Sequence, residues 1–216
     1  MALYALLDFD TLKKYNISIE DFIKTAKGLK AKILQYRDKN SSFEEKLNRI
    51  KKIRKLWKKT LIVNDEIELL PFADGIHIGQ EDLISLCEKN RLTKFEAIKA
   101  LKYGKLNSKF SILNSQFIVG LSTHNKEEIL EANNLPLDYI GLGAYRPTTT
   151  KNTNNILGKK IINLIKYSYH PVAVIGGVKI YDKIPANFKV IGSDICKLTS
   201  FQLRKKEIIK RKLKNL

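Results

Sequence analysis

The chain has 216 residues, 44% of them hydrophobic, which suits one large core, so residues 1–216 are read as a single domain. No stretch approaches the roughly 18 to 20 apolar residues of a membrane span. The opening MALYALLDFD has neither a basic start nor a cleavage site, so a soluble, unprocessed, cytoplasmic protein without a membrane partner is expected. The formal charge of +18 invites a nucleic-acid reading, yet 33 of the 40 basic residues are lysine and are spread along most of the chain. Bidentate recognition of phosphates or bases would favour arginine, so a solvated lysine surface is expected and no nucleic acid.

In chain order, short apolar runs alternate with segments of helical period, the pattern of repeated βα units around a parallel sheet. Eight such runs are found, at 3–7, 31–34, 61–63, 75–78, 117–121, 139–142, 172–175 and 189–191. Eight strands with intervening helices predict an α/β fold, a single (β/α)8 TIM barrel, with its site just beyond the strands' C-terminal ends. Ser42 with Glu45 marks a helix start after the second strand, and Asn125 with Glu128 marks one after the fifth. The connection 80–116 between strands four and five is enlarged. Thr93 with Glu96 predicts an extra helix there, followed by a polar loop over 103–115. The connection 179–188 is short, which reduces the seventh helix to a turn. At the end of the chain, Leu203, Ile208, Ile209 and Leu213 recur at near-helical spacing among basic residues, predicting an amphipathic terminal helix. Cys87 and Cys196 lie far apart, in no ligand spacing, and are read as buried thiols of a reducing compartment.

Polar residues collect where these strands end. The second strand leads into Gln35, Tyr36, Arg37, Asp38 and Lys39, and the third into Asn64 and Asp65. Gln80, Glu81 and Asp82 follow the fourth strand, and Ser122, Thr123 and His124 the fifth. Beyond the sixth come Arg146, Pro147, Thr148, Thr149, Thr150 and Lys151; Gly176 and Gly177 follow the seventh, and Gly192 and Ser193 the eighth.

Arg37, Lys39 and Lys151 have the charge to neutralise a diphosphate, while Asp65 and Asp82 offer hard oxygen ligands for Mg2+. Cations and metal together would make diphosphate a good leaving group. Gly176 and Gly177 allow backbone N–H groups to approach a second phosphate, as loops after strands seven and eight do in this fold. Simpler roles stand beside each of these. Asp65 and Asp82 could cap helices, the threonines could form a polar loop, and the glycine pair could serve only a turn. His77, inside a strand, is read as packed or hydrogen bonded; His124 and His170 are read as structural or solvated, since neither has a nucleophile beside it.

Seven segments in register carry a resemblance to bacterial thiamine phosphate synthases: QYRDK at Gln35, VND at Val63, ADGIHIGQED at Ala73, VGLSTH at Val119, DYIGLG at Asp138, PTTTK at Pro147 and VIGGV at Val174. The resemblance implies that hydroxymethylpyrimidine diphosphate is bound by Gln35, Tyr36, Arg37, Asp38, Lys39, Asn64, Ser122 and Lys151, of which Arg37, Lys39, Ser122 and Lys151 are catalytic. It implies Mg2+ on Asp65 and Asp82, and thiazole phosphate at Thr148, Thr149, Thr150, Gly177, Gly192 and Ser193. The implied reaction lets diphosphate depart first, and the thiazole nitrogen then captures the pyrimidine methyl cation, with no protein nucleophile. Related thiazole tautomerases share the barrel, so a tautomerase remains an alternative, as does a non-catalytic barrel that binds a phosphate ligand or nucleic acid. Ala144 stands where synthases usually carry proline and tautomerases a catalytic histidine, which argues against tautomerase chemistry. Arg146 is an unusual cation beside the phosphate loop, with anion binding and a surface role both open.

Overall fold

The computed structural model describes residues 1–106, 116–147 and 155–214, with side chains described as far as residue 206. All eight expected strands form: β1 (Ala2–Asp8), β2 (Ile33–Arg37), β3 (Thr60–Asn64), β4 (Gly75–Ile78), β5 (Ile118–Thr123), β6 (Tyr139–Leu142), β7 (Val172–Val174) and β8 (Phe188–Ile191). Each pairs in parallel with the next, and β8 pairs back onto β1, which closes the barrel. The register sets Asp8 opposite Arg37 and Asn64 opposite His77, so residues from neighbouring strands reach the same rim.

Local signals account for most of the helices. Asp8 ends β1 and caps α1 (Phe9–Tyr15), accepting from the Thr11 backbone N–H at 2.8 Å, and α2 (Ile19–Gly28) follows. The capping boxes at Ser42–Glu45 and Thr93–Glu96 both form, opening α3 (Phe43–Leu56) and α5 (Lys94–Lys102). The enlarged connection thus holds two helices, α4 (Gln80–Asn90) and α5; of its expected polar loop, 107–115 lie outside the described residues. Asn125 caps α6 (Lys126–Ala132) through the Glu128 N–H; α7 (Ile161–Ile165) and α8 (Ser193–Lys214) complete the set. Two connections depart from a regular barrel. After β3 there is only a 3-10 segment, Ile67–Phe72, with Pro71 inside it, and β7 runs to β8 through turns alone. The second was expected from its length; the first was not.

Strand alternation sorts the core into two layers. Outward-facing residues such as Leu7, Leu34, Val63 and Ile76 pack with helix residues Phe22, Ile50, Ile53 and Ile129. Inside the barrel a smaller cluster contains Tyr4, Leu6, Ile62, Tyr139, Ala173 and Val190. A Cβ on Gly120 would lie 2.2 Å from the Tyr139 ring, so the missing side chain makes room for the tyrosine. The terminal helix is present, its buried Ile195, Cys196 and Thr199 facing inward; Ile208, Ile209 and Leu213 lie beyond the described side chains. Burial, with Asp8 adding to it, pushes the Cys196 thiol up to about 12, so it is inert at neutral pH. Cys87 is only partly covered, contrary to the expectation that both thiols are buried. Among the described residues no helix is long and apolar enough to cross a membrane.

Candidate active site

A cavity of about 380 Å³ opens at the C-terminal ends of the strands. Residues from the ends of β2 through β8 line it, among them Gln35, Arg37, Lys39, Asn64, Asp65, Asp82, Ser122, Gly177, Gly192 and Ser193. These are expected site residues, brought together from positions far apart in the chain.

Among the described site residues, Tyr36 and Asp38 are the exceptions. Strand β2 runs on to Arg37, farther than the apolar run alone indicated, so its residues alternate across the barrel wall. Gln35, Arg37 and Lys39 face the cavity; Tyr36 joins the outer core. The Tyr36 hydroxyl donates to Asp38 at 2.9 Å, and Asp38 also accepts from Arg49 at 2.7 Å. Burial alone would raise the Asp38 pKa, but hydrogen bonds from Tyr36, Ser41 and Arg49 outweigh it and hold the carboxyl below its usual value. The pair therefore braces the β2–α3 loop from outside the cavity, a structural position in place of the expected substrate contact.

On the β2–β4 side the cavity wall is charged. Arg37 is ion-paired with Asp8, a nearly fully buried carboxylate that also accepts from the Thr11 hydroxyl at 2.6 Å. Asp8 was not among the expected residues, although its position as both strand end and helix cap marked it as special. Lys39 reaches Asp65 at 3.0 Å, and the Gln35 amide donates to Asn64 at 3.1 Å. Asn64 in turn donates to Asp65.

Neither Asp65 nor Asp82 caps a helix. Asp65 sits at φ 59° and accepts the Gly79 N–H at 3.2 Å, while Gly79, without a side-chain cap, opens α4 and places Asp82 in its first turn. A Cβ on Gly79 would meet the Asp82 carboxylate at 2.7 Å, so glycine is what lets this carboxylate lean over the turn. Burial first, then the Asp65 charge, raises the Asp82 pKa above its ordinary value. Two facing carboxylates of this kind are stabilised by a cation. No group of three or more His, Cys, Asp or Glu side chains that could hold a metal occurs among the described residues. Asp65 and Asp82 offer two hard-oxygen carboxylates, a set that fits an ion able to complete its shell with water and phosphate.

On the β6–β8 side the wall is mostly backbone. Gly176 and Gly177 have φ of 88° and 63°, and a Cβ on either would fall within 2.7 Å of Ala144 or Arg146. Gly192 and Ser193 lie at the start of α8, where backbone N–H groups favour an anion. Arg146 does not reach the cavity. It forks onto Asp182 at 2.5 and 2.9 Å, donates to the Gly177 carbonyl at 3.2 Å and lies over the Tyr145 ring. Asp182 also accepts the Lys179 N–H at 2.7 Å, so this ion pair ties the β6 loop to the helix-less turn after β7. Thr148, Thr149, Thr150 and Lys151 lie outside the described residues.

The histidines divide. His77 is hydrogen bonded to Tyr139 and Ser122, both at 3.0 Å, and His170 to the Ala132 carbonyl at 3.0 Å, as their structural reading requires. His77 and His124 both line the cavity, and His124 Nδ1 is held 2.9 Å from Glu128, a residue whose only sequence signal was the start of a helix.

Fold and mouth together define a class: a (β/α)8 barrel whose open end sets a charged clamp opposite a glycine and helix-terminus cradle, suited to phosphorylated small molecules. Residues 9–98 and 104–186 match the family model described as thiamine monophosphate synthase, and the chain belongs to that family. It is 36% identical to the thiamine-phosphate synthase of Dictyoglomus turgidum over 178 residues, 78% of this chain and 70% of that protein. With the thiamine-phosphate synthase of Persephonella marina it shares 33% identity over 187 residues, 82% of this chain and 77% of the other. The thiamine phosphate pyrophosphorylase of Pyrococcus furiosus has the same fold, with a TM-score of 0.67 at 24% identity and 94% of both chains covered.

Proposed function

We propose that the protein joins hydroxymethylpyrimidine diphosphate to a thiazole phosphate in a Mg2+-dependent reaction that releases diphosphate and thiamine phosphate. The observation that carries this reading is the pairing of Asp65 and Asp82 beside Arg37 and Lys39, across one cavity from the Gly176–Gly177 turn. A divalent cation on Asp65 and Asp82 would supply charge to a departing diphosphate. Arg37, with its direction fixed by Asp8, and Lys39 neutralise the same leaving group. Gln35 and Asn64, already bonded to each other, present polar groups to the pyrimidine end. Backbone N–H groups at Gly177, Gly192 and Ser193 hold the phosphate of the second substrate.

In the reaction the carbon–oxygen bond to diphosphate breaks, its electron pair leaving with the phosphate oxygen. The thiazole nitrogen lone pair then forms the new carbon–nitrogen bond. No proton moves and no protein nucleophile is required, so the residues act through electrostatics and the alignment of two reactants. Such alignment contributes up to about 7 to 11 kcal/mol. A tautomerase would need an acid or base at position 144, where Ala144 has only a methyl group, buried against Gly176.

The test is direct. Purified protein, both substrates and Mg2+ should yield thiamine phosphate and diphosphate in equal amounts, and chelation of the metal should stop the reaction. Failure to form thiamine phosphate with metal present would refute the proposal.

A further inference from the structure

Beneath the cavity a line of hydrogen bonds passes through the barrel interior and ends at Ser122. Tyr4 and Tyr139 hydroxyls lie 2.9 Å apart, the Tyr139 hydroxyl lies 3.0 Å from His77 Nδ1, and His77 Nε2 lies 3.0 Å from the Ser122 hydroxyl. The His77 and Tyr139 rings stack, with centroids 5.5 Å apart at 25°. A Cβ on Gly141 would lie 2.8 Å from His77 Cε1, so a second glycine leaves space for the imidazole.

The chain has a direction because its far end is closed. Tyr4 is 1% exposed and surrounded by the inner apolar cluster, and among the described residues its hydroxyl has Tyr139 alone as hydrogen-bond partner. If His77 carried its proton on Nδ1, that N–H would donate to the Tyr139 oxygen. Then either the Tyr139 or the Tyr4 O–H would be left buried without an acceptor. An imidazolium meets the same obstacle. With Nδ1 bare, every group is satisfied: Tyr4 donates to Tyr139, Tyr139 to Nδ1, and Nε2–H to Ser122. A buried donor without an acceptor is costly enough to favour this arrangement by roughly an order of magnitude or more.

We infer that Tyr4, Tyr139 and His77 fix the Nε2–H tautomer of His77 and thereby orient Ser122 so that its O–H is offered to an acceptor atom of the ligand in the cavity. Ser122 Oγ has His77 as its partner among the described residues, and Ser122 lines the cavity. On a pyrimidine diphosphate the acceptor is a ring nitrogen or a phosphate oxygen; that consequence rests on the proposed reaction, whereas the tautomer does not. His77 and Tyr139 are then positioning residues that act through Ser122.

Nitrogen-15 NMR of the full-length protein reads the tautomer directly. The chain has three histidines, so His124→Gln and His170→Gln variants identify the His77 signals. The expected result is a protonated Nε2 and a bare Nδ1 at neutral pH; the opposite tautomer, an imidazolium or averaged signals would overturn the inference. Tyr139→Phe should mix the tautomers and raise KM for the pyrimidine diphosphate about tenfold, with KM for the thiazole phosphate unchanged. Ser122→Ala should raise the same KM while His77 keeps its tautomer. A Tyr139→Phe protein with unaltered tautomer and KM would also overturn it. Absence of coupling by the wild-type protein would sink the proposed reaction and leave the tautomer measurement standing.

Discussion

The two sides of the barrel mouth are built from different materials. From β2 to β4 the wall is made of charged side chains, each aimed by a second residue: Asp8 behind Arg37, Lys39 and the Gly79 N–H on Asp65. From β6 to β8 it is made of glycines and a helix start, and its shape comes from loops tied together by Arg146 and Asp182. Charges placed by side chains act strongly on a group that changes charge during reaction, whereas backbone N–H groups grip a phosphate that leaves the reaction unchanged. Damage to the first side should therefore appear in kcat, and damage to the second in KM for the thiazole phosphate.

The largest effect is expected from Asp65→Ala, which should lower coupling at least about a hundredfold in steady-state assays. A variant that stays folded and retains most of its activity would remove the charged side from the chemistry. Next comes Gly177→Ala. Its φ of 63° and the 2.7 Å approach to Arg146 leave no unstrained place for a methyl group. We expect about a tenfold rise in KM for the thiazole phosphate and a stability loss of about 1 to 3 kcal/mol by denaturant unfolding. An unchanged KM would show that this turn does not hold the second substrate.

Arg146→Ala sharpens the contrast further, because it removes a brace and not a ligand. A severalfold rise in KM for the thiazole phosphate is expected, with kcat and the other KM preserved. A change confined to the pyrimidine diphosphate would contradict the assignment of sides. The smallest effect concerns pH. The Arg146 guanidinium, with help from the Lys179 N–H, holds the Asp182 carboxyl below its ordinary 3.8 despite some burial. A depressed pKa adds stability that is complete above that value and is lost as pH falls through the folded one. Acid unfolding of Asp182→Asn should therefore be shallower below about pH 4, by under about 1 kcal/mol. An identical acid limb in both proteins would show the pair to be energetically silent.

What local pattern could reveal, the sequence revealed. Strands Gly75–Ile78 and Tyr139–Leu142 have the bounds their apolar runs gave, and both capping boxes form, since each depends on residues within four positions. The apolar run stops short of the end of strand β2 because the strand's last three residues are polar or amphipathic, which puts Tyr36 and Asp38 in one polar run with Gln35 and Arg37. A contiguous run cannot show which members point inward once it crosses into a strand, where direction alternates. The part played by Asp182 against Arg146 likewise needed a partner 36 positions away to be seen in place.

By itself, then, the sequence determined eight strands, their order, the long and short connections, and the cations, carboxylates and glycines that gather at the strand ends. Periodicity and capping are properties of neighbouring residues and survive without a fold. Only the tertiary structure decided that Arg37 leans on Asp8, that Asp65 and Asp82 escape helix capping, that Arg146 pairs with Asp182 across two loops, and that Tyr4 closes the line ending at Ser122. Those are relations between residues brought together by barrel closure, and the distances and orientations that define them do not exist until β8 meets β1.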